Sequence, residues 1–115
     1  MNNQVVVRMA KDLKRASVKN NAPIWAKLAK LALKPNSVKR TINLKRIDEL
    51  TKENDVVFFS GKVLGTGEIS HKITLCSFAI SNSAASGIKD SGGQLVGVLD
   101  MIEKYPTGKG VNLLG

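Results

Sequence analysis

The chain has 115 residues, of which 18 are lysine or arginine and 9 are aspartate or glutamate, so its formal net charge is +9. This length is typical of one domain with one modest hydrophobic core. No apolar run reaches the roughly 18 residues that span a bilayer, and no charged start leads into an apolar stretch with a cleavage site. We therefore expect neither an integral membrane protein nor a secreted one. The single cysteine, Cys76, suits a reducing cytoplasm because it cannot form an internal disulfide.

The positive charge is concentrated in the first half of the chain. Residues 1–52 hold 13 basic and 3 acidic side chains, a net charge of +10, whereas residues 53–115 hold 5 and 6, a net charge of −1. Such asymmetry indicates that the first half meets a polyanion, either a nucleic acid or an anionic membrane surface. The second half has the composition of a near-neutral folded body.

Two amphipathic helices are predicted in the basic half. Over residues 4–20, the apolar side chains fall within an arc of roughly 100° and the basic ones opposite them. The apolar positions are Val5, Val6, Met9, Leu13 and Ala16, and the basic positions are Arg8, Lys11, Lys14, Arg15 and Lys19. Asn2 or Asn3 is the expected N-cap, and residues 20–21 are expected to end the helix.

The second helix is predicted to begin at Pro23, a residue tolerated in the first helical position. Its apolar face comprises Ile24, Trp25, Leu28, Leu31 and Ala32, and its basic stripe comprises Lys27, Lys30 and Lys34. A single basic helix is as often a solvated surface as a binding face. The repetition of the pattern, almost without acids, favours binding of a polyanion.

A loop and a short helix follow, and they carry the densest basic cluster of the chain. Residues 34–41 are typical of a loop because of their Pro, Asn and Ser content. Asn43 is predicted to cap a helix over residues 44–50, with Leu44, Ile47 and Leu50 on one side. The cluster comprises Lys39, Arg40, Lys45 and Arg46.

The remaining residues predict an α/β fold with irregular connections. A turn is predicted at 52–55, and strands are predicted at 56–60, 62–64, 72–79, 95–96 and 111–114, with Gly61 separating the first two. Helices are predicted at 82–91, capped by Asn82, and at 99–104. Gly87 weakens the first of these helices by roughly 1 kcal/mol relative to Ala.

The sequence offers little for catalysis. One histidine and one cysteine cannot build a zinc site of four protein ligands, and Cys76 lies within an apolar strand pattern that is typical of a core residue. The glycines of residues 65–67 and 108–110 lack the spacing of nucleotide-binding loops and are interpreted as turn residues. We expect no enzyme activity, no metal, no cofactor and no small-molecule substrate.

The aromatic residues indicate which kind of nucleic acid the chain binds. They make up 4% of the chain, and Trp25, Phe58, Phe59 and Phe78 all lie in apolar patterns that predict burial. Recognition of single strands relies on exposed rings as stacking platforms. The sequence therefore favours a folded nucleic acid contacted through its phosphates, riboses and shape. Zinc-finger, homeodomain and basic-zipper patterns are absent, which disfavours a transcription factor.

Motifs along the whole chain resemble a known family. They are NAPIW at 21–25, VKRTINLKRI at 38–47, TKENDVV at 51–57, GKVLGTGEISHKIT at 61–74, the glycine pair at 92–93 and GVNLLG at 110–115. Together they resemble the large-ribosomal-subunit protein family eighteen-e of archaea and eukaryotes, which is related in fold to the bacterial family fifteen. The absence of long basic tails is more similar to the archaeal form.

The resemblance implies a structural, cytoplasmic constituent of the large ribosomal subunit, with rRNA and neighbouring ribosomal proteins as partners and no membrane. It implies a single α/β domain over 1–115, with a basic helical part at 1–50 and an α/β body of irregular β-β-α turns at 51–115. Lys62, His71 and Lys72 flank the central glycine block and become candidates for contact with RNA or a neighbouring protein. The candidate RNA-binding residues are Arg8, Lys11, Arg15, Lys19, Lys27, Lys30, Lys34, Lys39, Arg40, Lys45, Arg46, Lys62, His71 and Lys72. The alternatives are a non-ribosomal architectural nucleic-acid-binding protein and a peripheral membrane protein.

Overall fold

A computed structural model describes residues 3–34 and 40–114 of the chain. Helices and strands follow one another in the order α1 (Asn3–Asn20), α2 (Pro23–Leu33), β1 (Thr41–Asn43), α3 (Leu44–Leu50), β2 (Val56–Leu64), β3 (Thr74–Ile80), α4 (Asn82–Asp90), β4 (Gln94–Leu95), α5 (Val98–Lys104) and β5 (Val111–Leu114). The predicted α/β class is confirmed. The expected cap at Asn2, the side chains of Val5 and Val6, and residues 35–39 of the predicted loop lie outside what the structure describes.

The strands form one parallel sheet with β2 at its centre. Strand β3 pairs along most of β2, and β4 pairs with the first residues of β3. Strands β5 and β1 share the other edge of β2, where β5 pairs with residues 56–59 and β1 with residues 62–64. The prediction of two strands separated by Gly61 is wrong, because β2 continues through it. The pairing with β3 shifts register between Phe59 and Lys62. Gly61 therefore lies in a local irregularity of one continuous strand and not between two strands.

Helices cover both faces of the sheet, as a parallel sheet requires. Side chains alternate between the two faces along each strand, so Phe58 and Cys76 enter one core while Val57 and Leu75 enter the other. The first core is completed by α1, α2 and α5, through Leu13, Trp25, Leu28 and Met101. The second is completed by α3 and α4, through Leu44, Ile47, Ala84 and Ile88.

The first two helices form a hairpin that packs on the sheet. Asn21, with a positive φ of 49°, makes the turn between them, and Pro23 begins α2 as predicted. The Trp25 side chain is fully buried, and its indole Nε1 donates a hydrogen bond to the Pro106 carbonyl at 2.8 Å. The basic first part of the chain therefore supplies core residues to the same body as the last part.

Two predicted helix caps had different outcomes. The Asn43 side chain accepts a hydrogen bond from the Arg46 backbone N–H at 3.0 Å, which confirms the predicted cap of α3. Helix α4 begins at Asn82, but its cap is Ser81, whose hydroxyl accepts from the Ala84 N–H at 3.2 Å. Leu50, placed by the pattern with Leu44 and Ile47, lies at the end of its helix and is 46% exposed.

Candidate nucleic-acid interface

Helix α1 presents a continuous basic stripe to solvent. Its members are Arg8, Lys11, Arg15 and Lys19, all exposed, and their spacing of three or four residues places them on one side of the helix. Leu13 and Ala16 are buried on the opposite side against the sheet. Lys14, which lies beside this stripe, is exposed as well.

Helix α2 repeats this arrangement beside α1, on the same face of the sheet. Lys27, Lys30 and Lys34 are exposed, while Trp25 and Leu28 are buried. Among the side chains that the structure describes, no carboxylate lies within ion-pair distance of these three lysines or of the four members of the α1 stripe. We call these seven residues the outer basic face. Its cations are free to meet an external anion.

Arg40 immediately precedes β1, and residues of β2 hold its guanidinium. The guanidinium donates a hydrogen bond to the buried Ser60 Oγ at 2.9 Å and lies 5.6 Å from the centre of the Phe59 ring. The Arg40 carbonyl accepts from the Lys62 backbone N–H at 2.7 Å. These contacts orient the side chain. Lys39, its neighbour in the predicted cluster, lies outside the described residues.

Lys45 and Arg46 are exposed on α3, which covers the opposite face of the sheet from α1 and α2. Arg46 pairs with Glu49 at 3.2 Å, but both side chains are largely exposed, so this ion pair contributes little stability. The three residues of β1 separate Arg40 from the start of α3. The structure therefore divides the candidate residues of the three helices between two surfaces.

The central glycine block packs against the first turns of α3 and α4. A Cβ atom on Gly65 would collide with the Ser83 side chain, and one on Gly67 would lie 2.6 Å from the Lys45 Cβ. Gly67 also has a φ of +90°, which side-chain-bearing residues rarely adopt. The Thr66 carbonyl accepts from the Lys45 N–H at 3.2 Å. The close approach and the positive φ therefore require glycine in this loop, and the hydrogen bond from Lys45 fixes the loop to α3.

His71 fastens the end of this loop to α3. Its Nε2 lies 2.8 Å from the Thr51 Oγ1, which itself donates to the Ile47 carbonyl at 2.7 Å. Its Nδ1 lies 3.2 Å from the Asp48 Oδ1, which accepts from the Ser70 N–H at 2.9 Å and from the Ser70 hydroxyl at 2.7 Å. Both ring nitrogens therefore have partners within the protein.

The same contacts set the charge state of Asp48. The hydrogen bond from the Ser70 backbone lowers the pKa of this carboxyl most, followed by the hydrogen bond from the Ser70 hydroxyl. Desolvation opposes this shift, and the charge of His71 adds to it. An ionised Asp48 thus holds the loop in place beside Lys45 and Arg46.

Lys62 and Lys72 lie on different parts of the sheet. Lys62 is half-buried within β2, near Arg40. Lys72 is exposed and lines a polar cleft of about 230 Å³ with Asn54, Gly92 and Gln94, where β3 and β4 begin. The cleft was not predicted. The glycine pair at 92–93 is its only sequence signal, because glycine leaves the wall beside Lys72 without side chains.

Sequence reasoning also missed the polar residues that position Arg40 and His71. Ser60 and Thr51 are buried, and each contacts a candidate residue 20 positions away in the chain. A hydroxyl residue in a strand or after a helix gives no signal of such a partner.

Cys76 and His71 do not form a nucleophile–base pair, because they lie on opposite faces of the sheet. Cys76 is buried in the core beneath α1, α2 and α5, whereas His71 contacts α3 on the other face of the sheet. Burial raises the pKa of the Cys76 thiol to about 12, so the thiol is protonated and unreactive. Within residues 3–34 and 40–114, no cluster of three or more metal-ligating side chains occurs, and no helix has the length and hydropathy to cross a membrane.

Comparison with known proteins decides the family. A sequence profile that describes the ribosomal proteins 50S-L15 and 50S-L18e, together with their counterpart in the 60S subunit, matches residues 24–96. The chain belongs to this family. Its members are ribosomal proteins, which agrees with the resemblance of the motifs and with the expectation that the chain is not an enzyme.

Three archaeal family members illustrate the similarity, each named large ribosomal subunit protein eL18. The protein of Methanococcus maripaludis is 36% identical over 89% of this chain and 85% of its own length. That of Archaeoglobus fulgidus is 34% identical over 85% and 84%, respectively. That of Pyrobaculum aerophilum is 32% identical over 92% and 87%. The similarity to these family members thus covers most of the chain.

Proposed function

We propose that this family member is a structural constituent of the cytoplasmic large ribosomal subunit that binds folded rRNA through its outer basic face. The observation that carries the proposal is the set of seven exposed cations on α1 and α2, none of which has a carboxylate partner among the described side chains. Phosphate groups would supply the missing partners. The whole of 1–115 would act as one domain, because α1 and α2 share a core with β2, β3 and α5.

The free energy of such binding comes largely from the release of counterions. Each phosphate that a lysine or arginine neutralises releases condensed cations, so the affinity falls steeply with salt. Arg40 adds a guanidinium that Ser60 and Phe59 hold in one orientation. A guanidinium held in this way presents its positive charge to a phosphate in a defined orientation.

Lys45 and Arg46 form a second surface for rRNA on the opposite face of the sheet. They project from the first turns of α3, which the loop of residues 65–71 supports through Thr66 and Ser70. His71 then acts as a positioning residue and not as an RNA contact. With cations on two faces, the protein can lie between two RNA segments and reduce the repulsion between their phosphates.

The test is binding of the purified chain to large-subunit rRNA and to a generic RNA duplex over a series of salt concentrations. The double variant Lys27→Gln, Lys30→Gln should reduce the slope of log affinity against log salt by nearly two, at about 0.9 for each phosphate that is no longer neutralised. The matched control is Lys89→Gln, Lys104→Gln, which removes two exposed lysines outside the candidate set and should leave the slope almost unchanged.

Two outcomes would count against the proposal. Equal affinity for the two RNAs at every salt concentration would indicate non-specific electrostatic binding, as expected of a non-ribosomal architectural protein. Equal slopes for the two double variants would remove the outer basic face from the interface.

A further inference from the structure

A groove between α1 and α5 has a different chemistry from the outer basic face. It has a volume of about 400 Å³ and is lined by Asp12, Arg15, Ala16, Lys19, Asn20, Leu99, Ile102, Glu103 and Pro106. Arg15 and Lys19 also belong to the outer basic face, so the groove runs along one flank of that face. The function proposed above does not use its other residues.

The α5 wall of the groove is partly apolar: Ile102 also packs against the first core, whereas Leu99 is exposed. Leu99, Ile102 and Pro106 are spaced three and four residues apart and follow one side of α5 and its end. The Leu99 side chain is 62% exposed, whereas Met101 on the other side of the helix is fully buried. The exposed part of the Leu99 side chain gains free energy when a partner covers it.

The charges of the groove distinguish a protein partner from RNA. Asp12 is the only acidic residue in α1 and α2, and Glu103 stands on the opposite wall. Neither carboxylate has a cation within ion-pair distance among the described side chains. An RNA phosphate placed here would meet Arg15 and Lys19, but it would also meet two carboxylates and the exposed Leu99, none of which stabilises it. A polypeptide can bring both an apolar side chain and a cation.

We propose that this groove docks a segment of a neighbouring ribosomal protein, and this inference rests on the function proposed above. The segment inserts an aliphatic or aromatic side chain against Leu99 and Ile102, and it places a lysine or arginine near Asp12 and Glu103. Because Arg15 and Lys19 lie along the same groove, the segment sits at the boundary between the protein contact and the RNA contact. With a volume of about 400 Å³, the groove accommodates side chains from one helix or one extended segment and not a whole domain.

Photo-cross-linking in assembled large subunits tests the identity of the occupant. One chain carries p-benzoylphenylalanine in place of Leu99, and a second carries it in place of Lys30 on the outer basic face. We expect position 99 to cross-link to a peptide of another subunit protein and position 30 to cross-link to rRNA. A cross-link from position 99 to rRNA, or none where position 30 reacts with rRNA, would overturn the groove proposal alone. Assembled subunits in which position 30 does not react with rRNA would instead contradict the rRNA interface.

Charge reversal at Glu103 provides a second test, because a protein segment and RNA as occupants predict opposite changes in incorporation. Glu103→Lys should lower incorporation into large subunits about tenfold in competition with the wild type, since it opposes the cation of the docked segment. Its affinity for naked rRNA should stay equal or rise. The control is Asp90→Lys, an exposed residue at the end of α4 on the other face of the sheet, which should incorporate within about twofold of the wild type. Incorporation of Glu103→Lys at or above the wild-type level would refute a protein occupant, and unchanged thermal unfolding verifies that both variants fold.

Discussion

Replacement of Trp25 tests how the basic helices are joined to the rest of the protein. The side chain is fully buried among residues of α1, the sheet and α5, and its indole bonds to the carbonyl of Pro106, 81 residues away. Trp25→Ala removes this packing and leaves a cavity, which costs about 3–5 kcal/mol of unfolding free energy. For 115 residues, the entropy of unfolding at the midpoint is about 0.24 kcal/mol/K. The expected fall in Tm is therefore about 12–20 °C.

A second substitution separates the packing from the hydrogen bond. Trp25→Phe keeps a buried aromatic ring but loses the indole donor and the volume of one fused ring, so we expect a smaller loss than for alanine, about 1–2 kcal/mol, or roughly 4–8 °C. Thermal unfolding followed by far-UV circular dichroism measures both variants, because Trp25 is the only tryptophan and fluorescence is lost with it. Leu99→Ala, at an exposed position, is the control and should stay within about 0.5 kcal/mol. A wild-type Tm for Trp25→Ala would refute the packing of α2 on the sheet, and equal losses for both variants would show that packing contributes little.

Three further predictions concern Gly67, the hydrogen bonds between Asp48 and Ser70, and the thiol of Cys76. Gly67→Ala combines a positive φ with a Cβ that would lie 2.6 Å from the Lys45 Cβ, so urea unfolding should show a loss of about 1–3 kcal/mol. The Ser70 hydrogen bonds hold the pKa of Asp48 below its usual 3.8, so its contribution to stability is present above that value and is lost as the pH falls through the folded-state pKa. Asp48→Asn should therefore weaken the loss of unfolding free energy as the pH falls through the acidic range. A loss identical to that of the wild type would contradict a stabilising role of the Asp48–Ser70 hydrogen bonds. Because burial raises the pKa of Cys76 to about 12, iodoacetamide at neutral pH should modify the native thiol very slowly and modify it fully in guanidinium. Rapid modification of the native protein would place the thiol outside the core.

Several features of the fold can be predicted from local sequence. The spacing of Leu13 and Ala16 against Arg8 and Lys11 predicts α1 and the face it exposes, because a helix repeats every 3.6 residues whatever it packs against. Asn43 is predictable as the cap of α3 because its side chain serves a backbone N–H three residues away. The last strand is predicted with the bounds that the structure gives, Val111–Leu114.

Other features depend on contacts that no local pattern contains. Gly61 indicates a break between strands, but pairing with β1 and β3 on either side holds β2 together through it. His71 is a candidate RNA contact by its position in the sequence, and only the folded chain shows Thr51 and Asp48 beside its two nitrogens. The α1–α5 groove joins residues about 85 positions apart in the sequence, so neither helix predicts it alone.

By itself, the sequence determined the helices, most of the strands, the basic character of the first half and the family resemblance. Each of these follows from short-range periodicity, composition or motif. Only the tertiary structure decided that the candidate cations form two surfaces. The reason is the parallel sheet, which places α1 and α2 on one face and α3 on the other. The face on which a helix packs depends on the order and register of strand pairing, which joins residues far apart in the chain.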